Sequence, residues 1–149
     1  MALKYRADIE DSLRRTENLL ERAKSATNLR DQISRAYYAC FHVMIAAIFL
    51  EKWFDRKQTK RSSHEYVRLE YASVYSATKK NQIFKRKNLP AEIEKWKILR
   101  ESADYEIFTL DFENLKERVT QNEFRLMIDF VEKHIAHIQG KLGRAPTSQ

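Results

Sequence analysis

Glycine and proline are almost missing from this chain, with two of each in 149 residues. Tight turns depend on those residue types, so an all-β or α/β fold of this size is excluded and an all-α fold is left. Cysteine is equally scarce. Cys40 stands alone, so no disulfide framework and no CxxC pair can form, and a cytoplasmic location is the expectation. Long hydrophobic runs are lacking as well: Val43 to Leu50 is too short to span a bilayer, which takes about 20 apolar residues. The N-terminus MALKYRADIEDSLRR is charged from Lys4 onward, unlike a signal peptide. A soluble protein with no membrane partner is expected. Glycine-rich phosphate loops, a GxSxG elbow and an HExxH pair are also missing, which removes most cofactor chemistry. Neither a cofactor nor a metal site is expected.

What is abundant is positive charge. The formal net charge is +7, and it is unevenly spread. Lys52 to Arg100 holds 14 Lys or Arg against 5 Asp or Glu, a net +9, and the rest of the chain is slightly acidic. Within that middle third, DRKQTKR at Asp55–Arg61 and KKNQIFKRKN at Lys79–Asn88 read as basic loops. Trp53, Phe54, Tyr66 and Phe84 are interleaved with them. Lys57, Lys60, Arg61, His64, Lys85 and Arg86 are therefore the candidate nucleic-acid contacts, cations guiding a single strand and aromatics stacking its bases. A basic surface also serves solubility alone.

Apolar periodicity predicts one domain over residues 1–142 and a disordered tail at 143–149. The fold class is an up-and-down bundle of about five helices, with long first and last members. A first helix is predicted over Leu3–Ala26, with Ala2, Ile9, Leu13, Leu20 and Ala23 inward. Asn28 with Asp31 caps a second helix that reaches about Trp53. Ser62 with Glu65 forms a capping box for a third, burying Val67, Tyr71, Val74 and Ala77. Pro90 suits the first turn of a fourth, whose buried face is Ile93, Trp96, Leu99 and Ala103. Tyr105 to Phe112 reads as a packed connector. Phe124, Met127, Ile128, Val131, Ile135 and Ile138 then mark a last helix, stopped by Gly140 and Gly143. The Thr120–Glu123 capping box leaves open whether that helix is continuous or restarts.

The second helix organises the rest. SRAYYACFHVMIAAIFL at Ser34–Leu50 is apolar nearly all round, as a helix at the centre of a bundle is. It nevertheless carries Arg35, Tyr38 and His42 on one side, opposite the stripe Ile33, Tyr37, Cys40, Met44 and Ala47. A buried Arg35 would need a partner, for which Glu101 or Asp104 on the fourth helix are candidates. His42 is open to two readings, a working imidazole or a satisfied core histidine.

The string RAYYACFH at Arg35–His42, followed about sixty residues later by LRESADY at Leu99–Tyr105, resembles the HEPN family of small α-helical bundles. It is most similar to short, stand-alone prokaryotic members that share RAYYAxFH and RxxADY segments. The resemblance runs from the second helix to the last. It implies a protein acting on RNA, as a metal-independent endoribonuclease or a toxin-like component of a toxin–antitoxin or defence system. In such nucleases a ribose 2′-hydroxyl attacks, with His as acid or base and Arg stabilising phosphate charge. A homodimer that assembles the site is implied, as is a nucleotidyltransferase partner. The alternative the family offers is a non-catalytic interaction or nucleotide-binding module.

Carried onto this chain, the resemblance makes Arg35, Tyr38, His42, Arg100, Asp104 and Tyr105 the candidate catalytic set. One departure stands out. The family's pair usually lies on the late helix, where Arg100 matches its Arg, but Tyr105, Glu106 and Ile107 occupy the positions where His would stand. Asp104 instead falls one turn after Arg100, at ion-pair spacing. Of the remaining histidines, His64 lies at a helix start, where free N–H groups favour anions, or is simply a solvated residue. His134 and His137, lacking further ligands in sequence, read as surface residues.

Overall fold

In a computed structural model, placement is described for residues 4–53, 63–75, 89–105 and 117–143, excluding the side chains of 63–64, 89–91, 102–105 and 117–120. The described elements are all helical: α1 (Arg6–Ser25), α2 (Leu29–Glu51), α3 (Ser63–Tyr75), α4 (Leu89–Tyr105) and α5 (Glu117–Leu142). The predicted positions Ala2, Leu3, Ser62 and Ala77, both basic segments, most of the expected connector and residues 144–149 lie outside the described residues.

In α1, Ile9, Leu13, Thr16, Leu20 and Ala23 are buried at alternating spacings of four and three, one stripe of a 3.6-residue period. Thr16, inside that stripe, donates its hydroxyl to the Ser12 carbonyl at 2.7 Å, which satisfies a polar group the core could not otherwise hold. Asp8 in the first turn and Arg22 and Lys24 in the last suit the helix dipole. Extended backbone at Ala26 ends α1. Asn28 then caps α2 by accepting from the Asp31 N–H at 2.9 Å, as its sequence position predicted.

α2 packs against each of the other four helices. Its C-terminal half is enclosed on every side, with Val43 through Phe49 all buried. By length and composition it is apolar enough to cross a membrane, although the shorter run Val43–Leu50 is not. Burial at the centre of the bundle accounts for that apolarity.

Pro90 sits in the first turn of α4, where its missing N–H leaves no helical bond unmade. α5 is continuous through Thr120 and Glu123. Glu123 does not turn back to cap a restart, because its buried carboxylate accepts from the Trp96 indole at 2.9 Å and from Lys95 Nζ at 3.2 Å. Nor does Gly140 stop α5. The helix runs through it and ends at Gly143, whose φ of 77° is left-handed and whose N–H bonds the Gly140 carbonyl at 3.2 Å.

Candidate functional site

Arg35, Tyr38 and His42 occupy positions i, i+3 and i+7 of α2 and share one face. Arg35 is exposed, and Tyr38 and His42 are half-buried. Ile45 and Phe49 continue the same row and are buried, Phe49 meeting the Tyr5 ring at 5.9 Å. The row thus starts in water and runs down into the core. Arg35 is not the buried cation the sequence suggested: at the second turn of α2 its charge stays hydrated, and no internal partner is required.

The buried arginine is Arg100 on α4, 5% exposed. Its guanidinium carbon lies 5.4 Å from the centre of the Tyr37 ring and 5.6 Å from that of Tyr38. The two tyrosine rings meet nearly at right angles, 5.9 Å apart. A planar cation over aromatic faces is attracted by the ring quadrupole, more strongly when water is excluded. Burial pushes the Tyr37 phenol well above its usual range, and the nearby Arg100 charge opposes that in part. Tyr37 is therefore a neutral hydroxyl, not a base. On the outer side His42 stands edge-on to Phe41, with ring centres 5.3 Å apart.

The fold thus brings Arg100 from the RESADY segment onto the tyrosines of the RAYYACFH segment. Asp104 and Tyr105 fall in the last turn of α4, and their side chains lie outside the described residues. The same holds for the side chain of His64, in the first turn of α3. Lys57, Lys60, Arg61, Lys85 and Arg86 lie outside them altogether. Chemically, the α2 row offers an exposed guanidinium, a phenol and an imidazole in line, suited to an anion at Arg35 and proton transfer at His42.

A second polar centre was not foreseen. His134, expected at the surface, is fully buried on α5. Its Nε2 lies 2.6 Å from the Tyr71 hydroxyl of α3. The Tyr71, Tyr75 and Phe130 rings stand nearly perpendicular to it at 4.8–5.6 Å. Burial holds the imidazole well below the ordinary histidine range, and His137 pushes in the same direction. A signal for this burial was present in the sequence. Met127, Val131, His134 and Ile138 form a heptad-like stripe, and His134 is the polar member of it. Among the described residues, no group of three His, Cys, Asp or Glu is placed to hold a metal ion.

Comparison with family models, with characterised proteins and with solved structures finds no match to this chain.

Proposed function

We propose that this chain is a HEPN-like protein acting on RNA, through the α2 row of Arg35, Tyr38 and His42. The observation that carries the reading is the graded exposure of that row, an arginine in water followed by a half-buried tyrosine and histidine one and two turns on. A solvated guanidinium takes a phosphate with two parallel hydrogen bonds. A half-buried imidazole on the same face is the group that would exchange a proton with a ribose hydroxyl or leaving oxygen. Arg100 contributes by fixing Tyr38, since it lies over that ring from the buried side. A homodimer would place two such rows together, and RNA is the substrate class that the paired sequence motifs support.

The test is incubation of the purified protein with single-stranded RNA in a chelator, alongside Arg35→Ala and His42→Ala at matched helicity. Cleavage by the wild type, lost in His42→Ala, is the expected result. Binding without cleavage, weakened in Arg35→Ala, reduces the claim to an RNA-binding module. Unchanged cleavage in His42→Ala removes His42 from the site.

The near-complete burial of Arg100 favours a second reading, a non-catalytic module that binds a partner such as a nucleotidyltransferase. In that case Arg100 with Tyr37 and Tyr38 is a polar lock joining α2 to α4. On that reading Arg100→Met lowers the unfolding midpoint, and the wild type does not cleave RNA.

A further inference from the structure

α3 is the shortest of the described helices, at 13 residues. It presents three buried apolar side chains, Val67, Tyr71 and Tyr75, to the bundle. Two of the three converge on one residue. Tyr71 contacts the fully buried His134 through its hydroxyl at 2.6 Å and through its ring, and Tyr75 stacks on Tyr71 at 4.8 Å while standing edge-on to the same imidazole. The seat of α3 on α5 is therefore built around a single ionisable group in an aromatic enclosure. An imidazole in that position is accommodated neutral. Adding a proton places a cation where water cannot reach it, and the cost is relieved only by opening the enclosure.

We propose that His134 is a proton-operated latch for α3: neutral, it holds α3 on α5 through Tyr71 and Tyr75, and charged, it lets α3 leave the bundle. The surrounding charges decide how sharply it acts. On α5 itself His137 lies one turn on and adds like charge when protonated, while its own burial, and after that Lys141, oppose protonation of His137. From α3 the titratable groups are Tyr71 and Tyr75. From α2 Glu51 acts in the other direction, since its carboxylate favours a proton on His137 and disfavours ionisation of Tyr75. α4 reaches the centre through Trp96, edge-on to Phe130 at 5.3 Å, and the Trp96 indole is in turn tied to the Glu123 carboxylate. The packing of α3 on α2, with Val67 buried, resists its release, as do the Arg68–Glu94 ion pair, Lys52 with Glu70 at 2.5 Å, and the Tyr75 hydroxyl on the Ala47 carbonyl at 3.1 Å. In each of the two ion pairs one member is half-buried or better and the other is exposed to water, which screens the attraction in part.

In the sequence α3 joins the two basic stretches Asp55–Arg61 and Lys79–Asn88. The latch itself stands on the His134 geometry and does not depend on the RNA reading.

Hydrogen exchange of the full chain, read by mass spectrometry at about pH 7.5 and about pH 5.5 and corrected for intrinsic rates, tests the latch. In that interval histidines titrate and ordinary carboxylates do not. One proton taken up on opening shifts the equilibrium roughly tenfold per pH unit below the unfolded histidine value. Protection of residues 63–75 should fall by about that factor while the centre of α2 keeps its protection. His134→Gln, which offers Tyr71 a neutral acceptor, should remove the pH dependence. If that variant does not fold, the wild-type imidazole titration followed by nitrogen NMR serves instead, and should coincide with the loss of α3 protection. Equal α3 protection at both pH values overturns the proposal. So does simultaneous loss over all helices, unchanged pH dependence in His134→Gln, or a protonated His134 with α3 still protected.

Discussion

The molecule carries two sets of polar side chains, one at the junction of α3, α4 and α5 and one along α2, and they differ in how far water reaches them. At the first, His134, Trp96 and Glu123 are buried, and each has a neutral or charge-assisted partner on another helix: Tyr71 for His134, and Trp96 and Lys95 for Glu123. At the second, Arg35 is exposed and Tyr38 and His42 are half-buried. Polar groups enclosed between helices fix how those helices dock, because an unmatched partner would be costly. Polar groups along a half-open row keep part of their hydration and contribute less to the fold. Arg100 belongs to both descriptions, since it is buried like the first set yet touches Tyr38 of the second.

The contrast can be broken most forcefully at Trp96. Trp96→Ala deletes a fully buried indole and one donor to Glu123, and should cost about 3–5 kcal/mol in urea unfolding. A loss below about 1 kcal/mol would mean the α4–α5 junction is not closed as described. Next in size is Arg100→Met, which keeps much of the side-chain bulk and removes the cation over Tyr37 and Tyr38. About 2 kcal/mol is expected, and near-UV circular dichroism of the tyrosines should change with it. No change in either would separate Arg100 from the packing of α2.

Acid should sharpen the comparison from the other side. His134 takes its proton less readily in the folded chain than in the unfolded one, so between those two values the unfolded state binds more protons. Its contribution is present in full above the unfolded value of about 6.5 and is lost as pH falls from there, by roughly 1.4 kcal/mol per pH unit for one proton. Urea midpoints measured from about pH 7.5 to pH 5.5 should therefore decline in the wild type, and decline less in His134→Gln. A flat wild-type profile would contradict a buried neutral His134.

Most of the architecture was readable from apolar spacing, because spacing is what drives the helices together. The stripe Ile9, Leu13, Leu20 and Ala23, the Asn28 cap and the first-turn position of Pro90 all recur in the structure. The exceptions share a cause. Arg35 was read as buried because its helix is apolar, but it lies near the N-terminal end of α2, where its neighbours on that face give way to solvent. His134 was read as exposed because no further metal ligands accompany it in sequence, although its place in the stripe with Val131 and Ile138 is interior. Glu123 fits a capping box locally, and the tertiary bond from Trp96 takes it instead. In each case the local pattern was sound and a distant element decided the outcome. The candidate set was legible only in part: the approach of Arg100 to helix α2 followed from two separated motifs, whereas its contact with Tyr37 could be seen only once α4 was placed.

The most direct test of the division between a closed junction and a working row is the RNA affinity of Arg35→Ala, measured in a chelator beside its urea midpoint. An exposed side chain should contribute under about 0.5 kcal/mol to folding, so the midpoint should match the wild type while RNA binding weakens by roughly tenfold, as expected for one charge-assisted phosphate contact of about 1.4 kcal/mol. Undiminished RNA binding, or a weakening that only tracks a lowered midpoint, would contradict the assignment of the α2 row to function.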